Sequence, residues 1–430
     1  MEIDPWLPRA AARRPDGIAL ETPGGSVAYR DLLMGATHAA GALAALGVKP
    51  GDRAALALAP GRDFVEAVHG CLLLGAAAVP VDPRLGEAER ATQTRGAAAV
   101  VVEPLHGGRR MFVRTEWLPD DVALVVHTSG TTGSPQPVEL TYANLQAHAR
   151  AAVAAVALAP EDRWLCPLPL AHVGGLMAML RCSAQAATFV LDPPPFDAER
   201  VARKLREENV TIASLVPTML ERVLDAGGTP GPRLRRILLG GGPVTRTLLV
   251  RARTAGYPVC QTYGLTQACS TVTLSEPGDL ETAGRPLPGL GVSIGRDGEI
   301  LVTGSAVAGE EVLRTGDLGR LDDEGRLVMI GRKADTIVTG GENVSPAEVE
   351  AALLEHPEVA EAAVFARKHA LWGEAVSAKV VPRAGAAPTA AQLRAHCSER
   401  LAGYKVPKGY ELVETLPRTA SGKLQRGALS

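Results

Sequence analysis

Residues 128–135 read Thr-Ser-Gly-Thr-Thr-Gly-Ser-Pro, a run of hydroxyl side chains interleaved with two glycines. Such a run can wrap a polyphosphate. Gly130 and Gly133 let backbone N–H groups approach the oxygens, and Thr128, Ser129, Thr131 and Thr132 add further donors or a magnesium contact. The spacing does not match GxxxxGK[ST], which excludes an ordinary P-loop nucleotidase. Taken alone, the run also describes a flexible solvent loop, and it leaves both readings open. Arg181 follows an apolar stretch, residues 176–180, where a guanidinium is costly unless it meets an anion. That anion is either a ligand or an acidic neighbour in the fold. His172, Asp317 and Lys423 each have an ordinary reading as well: a structural histidine, a turn-forming aspartate after Gly316 and a solvated lysine near the chain end.

The elements that must position these groups alternate from about residue 121 to 275. Short aliphatic runs, loops rich in glycine or proline, and segments of helical periodicity follow one another. Residues 122–127, 163–170, 210–216 and 236–239 are predicted strands, and 144–158, 198–208 and 218–226 predicted helices. This pattern builds parallel sheets, whose ligands bind at the carboxyl ends of the strands. Residues 289–332 change character, with alternating apolar positions and Gly or Asp turns that predict antiparallel hairpins. Ser345, Pro346 and Glu348 announce a helix start, and Thr389 opens a helix with Leu393, Cys397 and Leu401 on one face. The first 120 residues read as scaffold.

Composition narrows the partners. With 45 basic against 47 acidic residues, for a net charge of -2, the 430-residue chain has no overall field to gather nucleic acid or an anionic membrane. The six cysteines form no CxxC pair and no metal-ligand spacing with histidines. Residues 1–17 lack the apolar stretch of a secretory signal, and no run is long enough to span a bilayer. These features predict a reduced, cytoplasmic protein without membrane insertion, and they leave a homodimer open.

Five segments in fixed order resemble the adenylate-forming acyl-CoA synthetase superfamily. They are the 128–135 loop; Tyr263, Gly264, Leu265 and Thr266; Arg314, Thr315, Gly316 and Asp317; Gly331, Arg332, Lys333, Ala334 and Asp335 running through Gly340, Gly341, Glu342 and Asn343 to Pro346 and Glu348; and Pro417 with Ser421, Gly422 and Lys423. Within that superfamily the most similar branch is the o-succinylbenzoate-CoA ligases of menaquinone biosynthesis. Residues 164–170 (Trp-Leu-Cys-Pro-Leu-Pro-Leu) with His172, 210–214 (Val-Thr-Ile-Ala-Ser), 239–243 (Leu-Gly-Gly-Gly-Pro) and 261–264 (Gln-Thr-Tyr-Gly) carry the narrower likeness.

The resemblance implies an α/β fold: a large N-terminal domain of stacked parallel and mixed sheets with helices and a small β-barrel-like part, over residues 1–330, and a small mobile α+β domain over 331–430. It implies an acid–thiol ligase that uses ATP, Mg2+ and coenzyme A on a small carboxylic acid. The carboxylate first attacks the α-phosphate to give an acyl-adenylate, and the thiol of coenzyme A then displaces AMP. By the same resemblance Lys423 supplies the cation of the first step, Asp317 takes the ribose hydroxyls with help from Arg332, and Tyr263 stacks on adenine opposite Gly241, Gly242 and Pro243. Gly264 and Thr266 line the nucleotide and acyl sites. His172 gates the acyl channel, where Gly174 and Arg181 meet the acid. Thr131 and Gln267 stand at the magnesium positions, and the loop of Gly340 and Gly341 enters for the second step. Departures from the family are Gln136 for lysine, Pro137 for glycine, Gln267 for glutamate, Ala334 at the hinge, and a short stretch over 302–314. The alternatives are a ligase for another aryl or aliphatic acid, a stand-alone adenylation enzyme, and a homologue that binds nucleotide or acyl groups without catalysis.

Overall fold

The structure is a computed structural model that describes residues 5–105, 117–128, 136–207, 209–418 and 424–429. Its largest sheet has nine strands. The order runs Arg285–Pro286, Ser270–Leu274, Val259–Leu265, Arg236–Leu239, Ile212–Leu215, Arg163–Cys166, Thr188–Leu191, Ile18–Thr22, Gly25–Ala28. From Val259–Leu265 to Ile18–Thr22 neighbouring strands are parallel, and the short aliphatic runs that form them are buried on both faces, as parallel sheets require. A second sheet runs Ala99–Val101, Arg53–Leu56, Ala77–Pro80, Val122–Thr128, Gln136–Thr141, antiparallel only at its last pair.

One apolar core joins helices Trp6–Arg13, Tyr29–Ala45, Arg62–Leu74, Tyr142–Val156 and Val173–Gln185 to both sheets. The alternating region forms a four-stranded antiparallel sheet, Leu290–Ile294, Glu299–Gly304, Val312–Leu321, Leu327–Arg332, which is the barrel-like part. Residues after Arg332 have cores of their own, built on a sheet of Glu342–Val344, Ile337–Thr339, Gly373–Pro382 and Val359–His369, with Gly409–Leu412 paired to Gly373–Pro382. Helices Pro346–Leu354 and Ala390–Ser398 pack in this last part. No helix among the described residues is long and apolar enough to cross a membrane.

Two elements differ from the sequence reading. The strand expected over 163–170 ends at Cys166, because Pro167 and Pro169 have no N–H to donate to a ladder. Ser345 precedes its helix but does not cap it: its hydroxyl donates to Ile330 O at 2.8 Å, tying the helix start to the antiparallel sheet.

Candidate active site

A hydrogen-bonded cluster of polar side chains lies where the nine-stranded and antiparallel sheets meet. Asp317, in strand Val312–Leu321, faces Arg332 in register across the ladder, and the Arg332 Nε donates to Asp317 Oδ1 at 2.9 Å. The Tyr263 hydroxyl, from strand Val259–Leu265, donates to Asp317 Oδ2 at 2.9 Å. Thr315 completes the turn, with Oγ1 accepting from Asp317 N at 3.1 Å and donating to Ile300 O at 2.8 Å. Asp317 is buried, whereas Arg332 is more than half exposed. Burial, then the negative charge of Asp317, pushes the Tyr263 phenol far above its ordinary range, so it stays a neutral donor. The carboxylate is thus aimed and its charge held by one cation and one hydroxyl.

Gly264 follows Tyr263 directly and tolerates no side chain. A Cβ there would lie 1.5 Å from Ser270 O, on the antiparallel partner strand Ser270–Leu274. Thr266 and Gln267 sit in the turn Thr266–Ala268 just beyond. Opposite, strand Arg236–Leu239 opens into Gly240, Gly241, Gly242 and Pro243. Gly240 has Thr262 Oγ1 2.2 Å from where its Cβ would lie, and Gly241 adopts φ +77, so both require glycine.

His172 stands at the N-terminal edge of helix Val173–Gln185, with Gly174 and Gly175 in the first turn. Two turns along, Arg181 is 2% exposed. Its Nη2 donates to Ser270 Oγ at 2.6 Å and Thr271 Oγ1 at 3.3 Å, and its guanidinium lies 5.6 Å from the centre of the Trp164 ring. Its Nε meets no acceptor, and no carboxylate pairs with it among the described residues. Burial lowers its pKa to about 10, which still leaves it charged near neutrality. His148 Nε2 lies 2.9 Å from Thr271 O, so that nitrogen carries the proton and donates. Burial, and then the Arg181 charge, holds the His148 ring neutral. Ser270 and Thr271 are the cross-strand partners of Leu265 and Gly264, so the buried cation backs onto the same strand end as Tyr263.

These residues therefore form one unbroken set: Arg181, Ser270 and Thr271, Gly264, Tyr263, Asp317, Arg332. Thr128 ends its strand, with Oγ1 donating to Gln136 O at 3.4 Å. Ser129, Gly130, Thr131, Thr132, Gly133 and Lys423 lie outside the described residues. Gly340 and Gly341, both at positive φ, form the tight turn between Ile337–Thr339 and Glu342–Val344, without a hydrogen bond to the Asp317 cluster. Sequence reasoning overlooked Thr315, Trp164, His148, Ser270 and Thr271. Thr315 and Trp164 lie inside quoted motifs, while only the fold brings His148, Ser270 and Thr271 to Arg181.

For magnesium the described residues offer little. No group of three or more His, Cys, Asp or Glu gathers to hold a metal among them. The Gln267 amide oxygen fits an ion that keeps most of its ligands from water and phosphate, with less attraction than a carboxylate would give.

Residues 7–110 and 112–318 match the family of AMP-binding enzymes, and residues 348–423 match the AMP-binding enzyme C-terminal domain. The chain is 36% identical to a 2-succinylbenzoate–CoA ligase of Bacillus licheniformis, with the whole of each chain covered. It also matches o-succinylbenzoate coenzyme A synthetase from Bacillus subtilis. Against the complex with the acyl-adenylate intermediate the TM-score is 0.94 at 34% identity, covering 100% of this chain and 98% of that one. Against the complex with ATP and magnesium ion it is 0.93 at 34% identity, with both chains covered in full. A double mutant of the same enzyme bound to its product analogue, again 34% identical over 100% of this chain and 98% of that one, gives 0.75. The chain belongs to the family of AMP-binding enzymes.

Proposed function

We propose that the chain ligates a carboxylic acid to coenzyme A through an acyl-adenylate, that the acid is o-succinylbenzoate, and that menaquinone biosynthesis is its setting. The observation that carries the substrate is Arg181: a buried, charged guanidinium whose partners among the described residues are all neutral, the Ser270 and Thr271 hydroxyls and the His148 ring. A group of this kind is stable beside an anion that enters from outside, and o-succinylbenzoate has a second carboxylate left over when the first reacts. Ser270 and Thr271 fix the guanidinium plane, and the neutral His148 braces Thr271 without adding charge.

Asp317 accepts the vicinal hydroxyls of the ATP ribose, held in place by Arg332 and Tyr263. The glycines at 240–242 and 264 let backbone approach the nucleotide where any Cβ would intrude. Lys423 brings a mobile positive charge to the oxygens that gain charge as the adenylate forms. Magnesium, when bound, offsets phosphate charge, and Gln267 and Thr131 are the residues offered to it. Residues 1–330 form the nucleotide and acyl domain and residues 331–430 a mobile domain that turns between the two half-reactions. The higher TM-scores with the adenylate and ATP complexes than with the product-analogue complex support this division and match the first half-reaction. Six buried free cysteines suit a cytoplasmic enzyme, and a homodimer is compatible with the reading.

Isotope exchange between pyrophosphate and ATP tests the reading. Exchange dependent on o-succinylbenzoate and independent of coenzyme A is expected. Exchange driven equally by benzoate or succinate would keep the chemistry and replace the substrate.

A further inference from the structure

The turn that carries Asp317 has a further support, from the strand beside it. Gly316 stands at φ +72, where glycine moves freely and the turn needs anchors from outside. Both anchors come from the start of strand Glu299–Gly304: Thr315 Oγ1 donates to Ile300 O at 2.8 Å, and Gly316 N donates to Glu299 Oε1 at 3.0 Å. Glu299 is 4% exposed. Its Oε2 accepts from Arg314 Nη2 and, at 3.4 Å, from Lys333 Nζ. Asp297, two residues earlier, takes the same two cations, Lys333 Nζ at 2.7 Å and Arg314 Nη2 at 3.1 Å. Lys333 follows Arg332 directly, so these two acids grip the chain beside both members of the Asp317 and Arg332 pair.

We propose that Glu299 is a positioning residue for the ribose: it fixes the Gly316 peptide and so sets where the Asp317 carboxylate stands. A buried carboxylate carries a desolvation cost that its partners must offset. Two cations with half-exposed side chains hold its charge through Oε2, while Oε1 is directed at one backbone N–H, the one next to Asp317. An ion pair that served stability alone would need only the cations; the bond to Gly316 is the part that reaches the nucleotide. Aspartate at this place would keep the charge and fall short of Gly316 N. Glutamine would keep the reach but set its NH2 against either the cations or the Gly316 N–H, since one amide cannot accept on both sides. The role of Asp317 itself rests on the ligase reading given above.

The test titrates ATP, and 2′,3′-dideoxy-ATP, which lacks both ribose hydroxyls, into the full chain by calorimetry with magnesium present and no acid. The unaltered chain should bind ATP about 10- to 100-fold more tightly than the dideoxy compound, the scale of hydrogen bonds to a charged group. Glu299→Asp and Glu299→Gln should each weaken ATP about tenfold and leave 2′,3′-dideoxy-ATP unchanged. In an Asp317→Asn chain neither should weaken ATP further, because the effect runs through Asp317. Equal weakening of both nucleotides, a loss that adds to that of Asp317→Asn, or variants that melt lower while binding ATP as before would overturn the proposal and make Glu299 a structural residue. An unaltered chain that binds the two nucleotides equally would overturn the ribose role of Asp317 and that of Glu299 with it. The expected nucleotide results without pyrophosphate exchange on any acid would overturn the ligase reading and uphold the positioning role of Glu299.

Discussion

Replacing Arg181 by methionine separates a ligand-binding cation from a structural one. Burial lowers the Arg181 pKa from 12.5 to about 10, so keeping the guanidinium charged inside the protein costs ~3 kcal/mol. Its bonds to the Ser270 and Thr271 hydroxyls return ~1 kcal/mol each. Methionine of similar length removes both contributions, and they nearly cancel. The ligand-free Arg181→Met chain should therefore unfold within about 3 °C of the unaltered one. Binding is another matter. A carboxylate about 4 Å from the guanidinium gains ~4 kcal/mol at an effective dielectric constant of ~20, and truncating such pairs costs ~2–5 kcal/mol. The kcat/KM for o-succinylbenzoate should then fall by about 10²–10³, whereas 3-benzoylpropionate, which lacks the ring carboxylate, should lose less than about threefold. Melting curves and steady-state kinetics on both acids decide it. An equal loss on the two acids, together with a large fall in melting temperature, would refute the reasoning and make Arg181 a structural residue.

Asp317→Asn removes the charge that orders Arg332 and would accept the ribose hydroxyls; KM for ATP should rise about 10- to 100-fold with KM for coenzyme A unmoved, read by steady-state kinetics. Gln267→Glu should lower the magnesium concentration for half-maximal rate about tenfold, and an unchanged magnesium curve would remove Gln267 from the metal site. Burial also depresses the pKa of His69 to about 4, with Ser183 Oγ 3.1 Å from its Nε2. The unfolded chain takes up this proton first as pH falls, so the contribution is intact above about pH 6.5 and ~2 kcal/mol of it is lost between pH 7.5 and pH 5. Urea midpoints at the two pH values should show that loss, and His69→Gln should lack it.

Much of the architecture is legible because it depends on periodicity. The strand Arg236–Leu239 has the expected limits, helix Tyr142–Val156 lies within two residues of its expected ends, and Thr389 caps helix Ala390–Ser398 through Gln392. Motif order likewise announces Tyr263, Asp317 and Arg332, which the sheets bring into one hydrogen-bonded group. The surroundings of Arg181 are not legible. Ser270, with φ of 98, and Cys269, with φ of 54, hold a backbone conformation that no local preference announces, and it is this bend that presents the Ser270 hydroxyl to the guanidinium. His148 and Trp164 sit in apolar contexts where a core role is the natural reading, and only the packing of three elements turns them toward Arg181.

The most direct test of the central claim is product analysis by mass spectrometry. Purified chain is given ATP, magnesium and coenzyme A with o-succinylbenzoate, and in parallel with benzoate, succinate and medium-chain acids. The expected result is AMP, pyrophosphate and o-succinylbenzoyl-CoA from o-succinylbenzoate, with no thioester from the other acids. Thioester from another acid alone would contradict the substrate, and no thioester from any acid at any magnesium concentration would contradict the ligase.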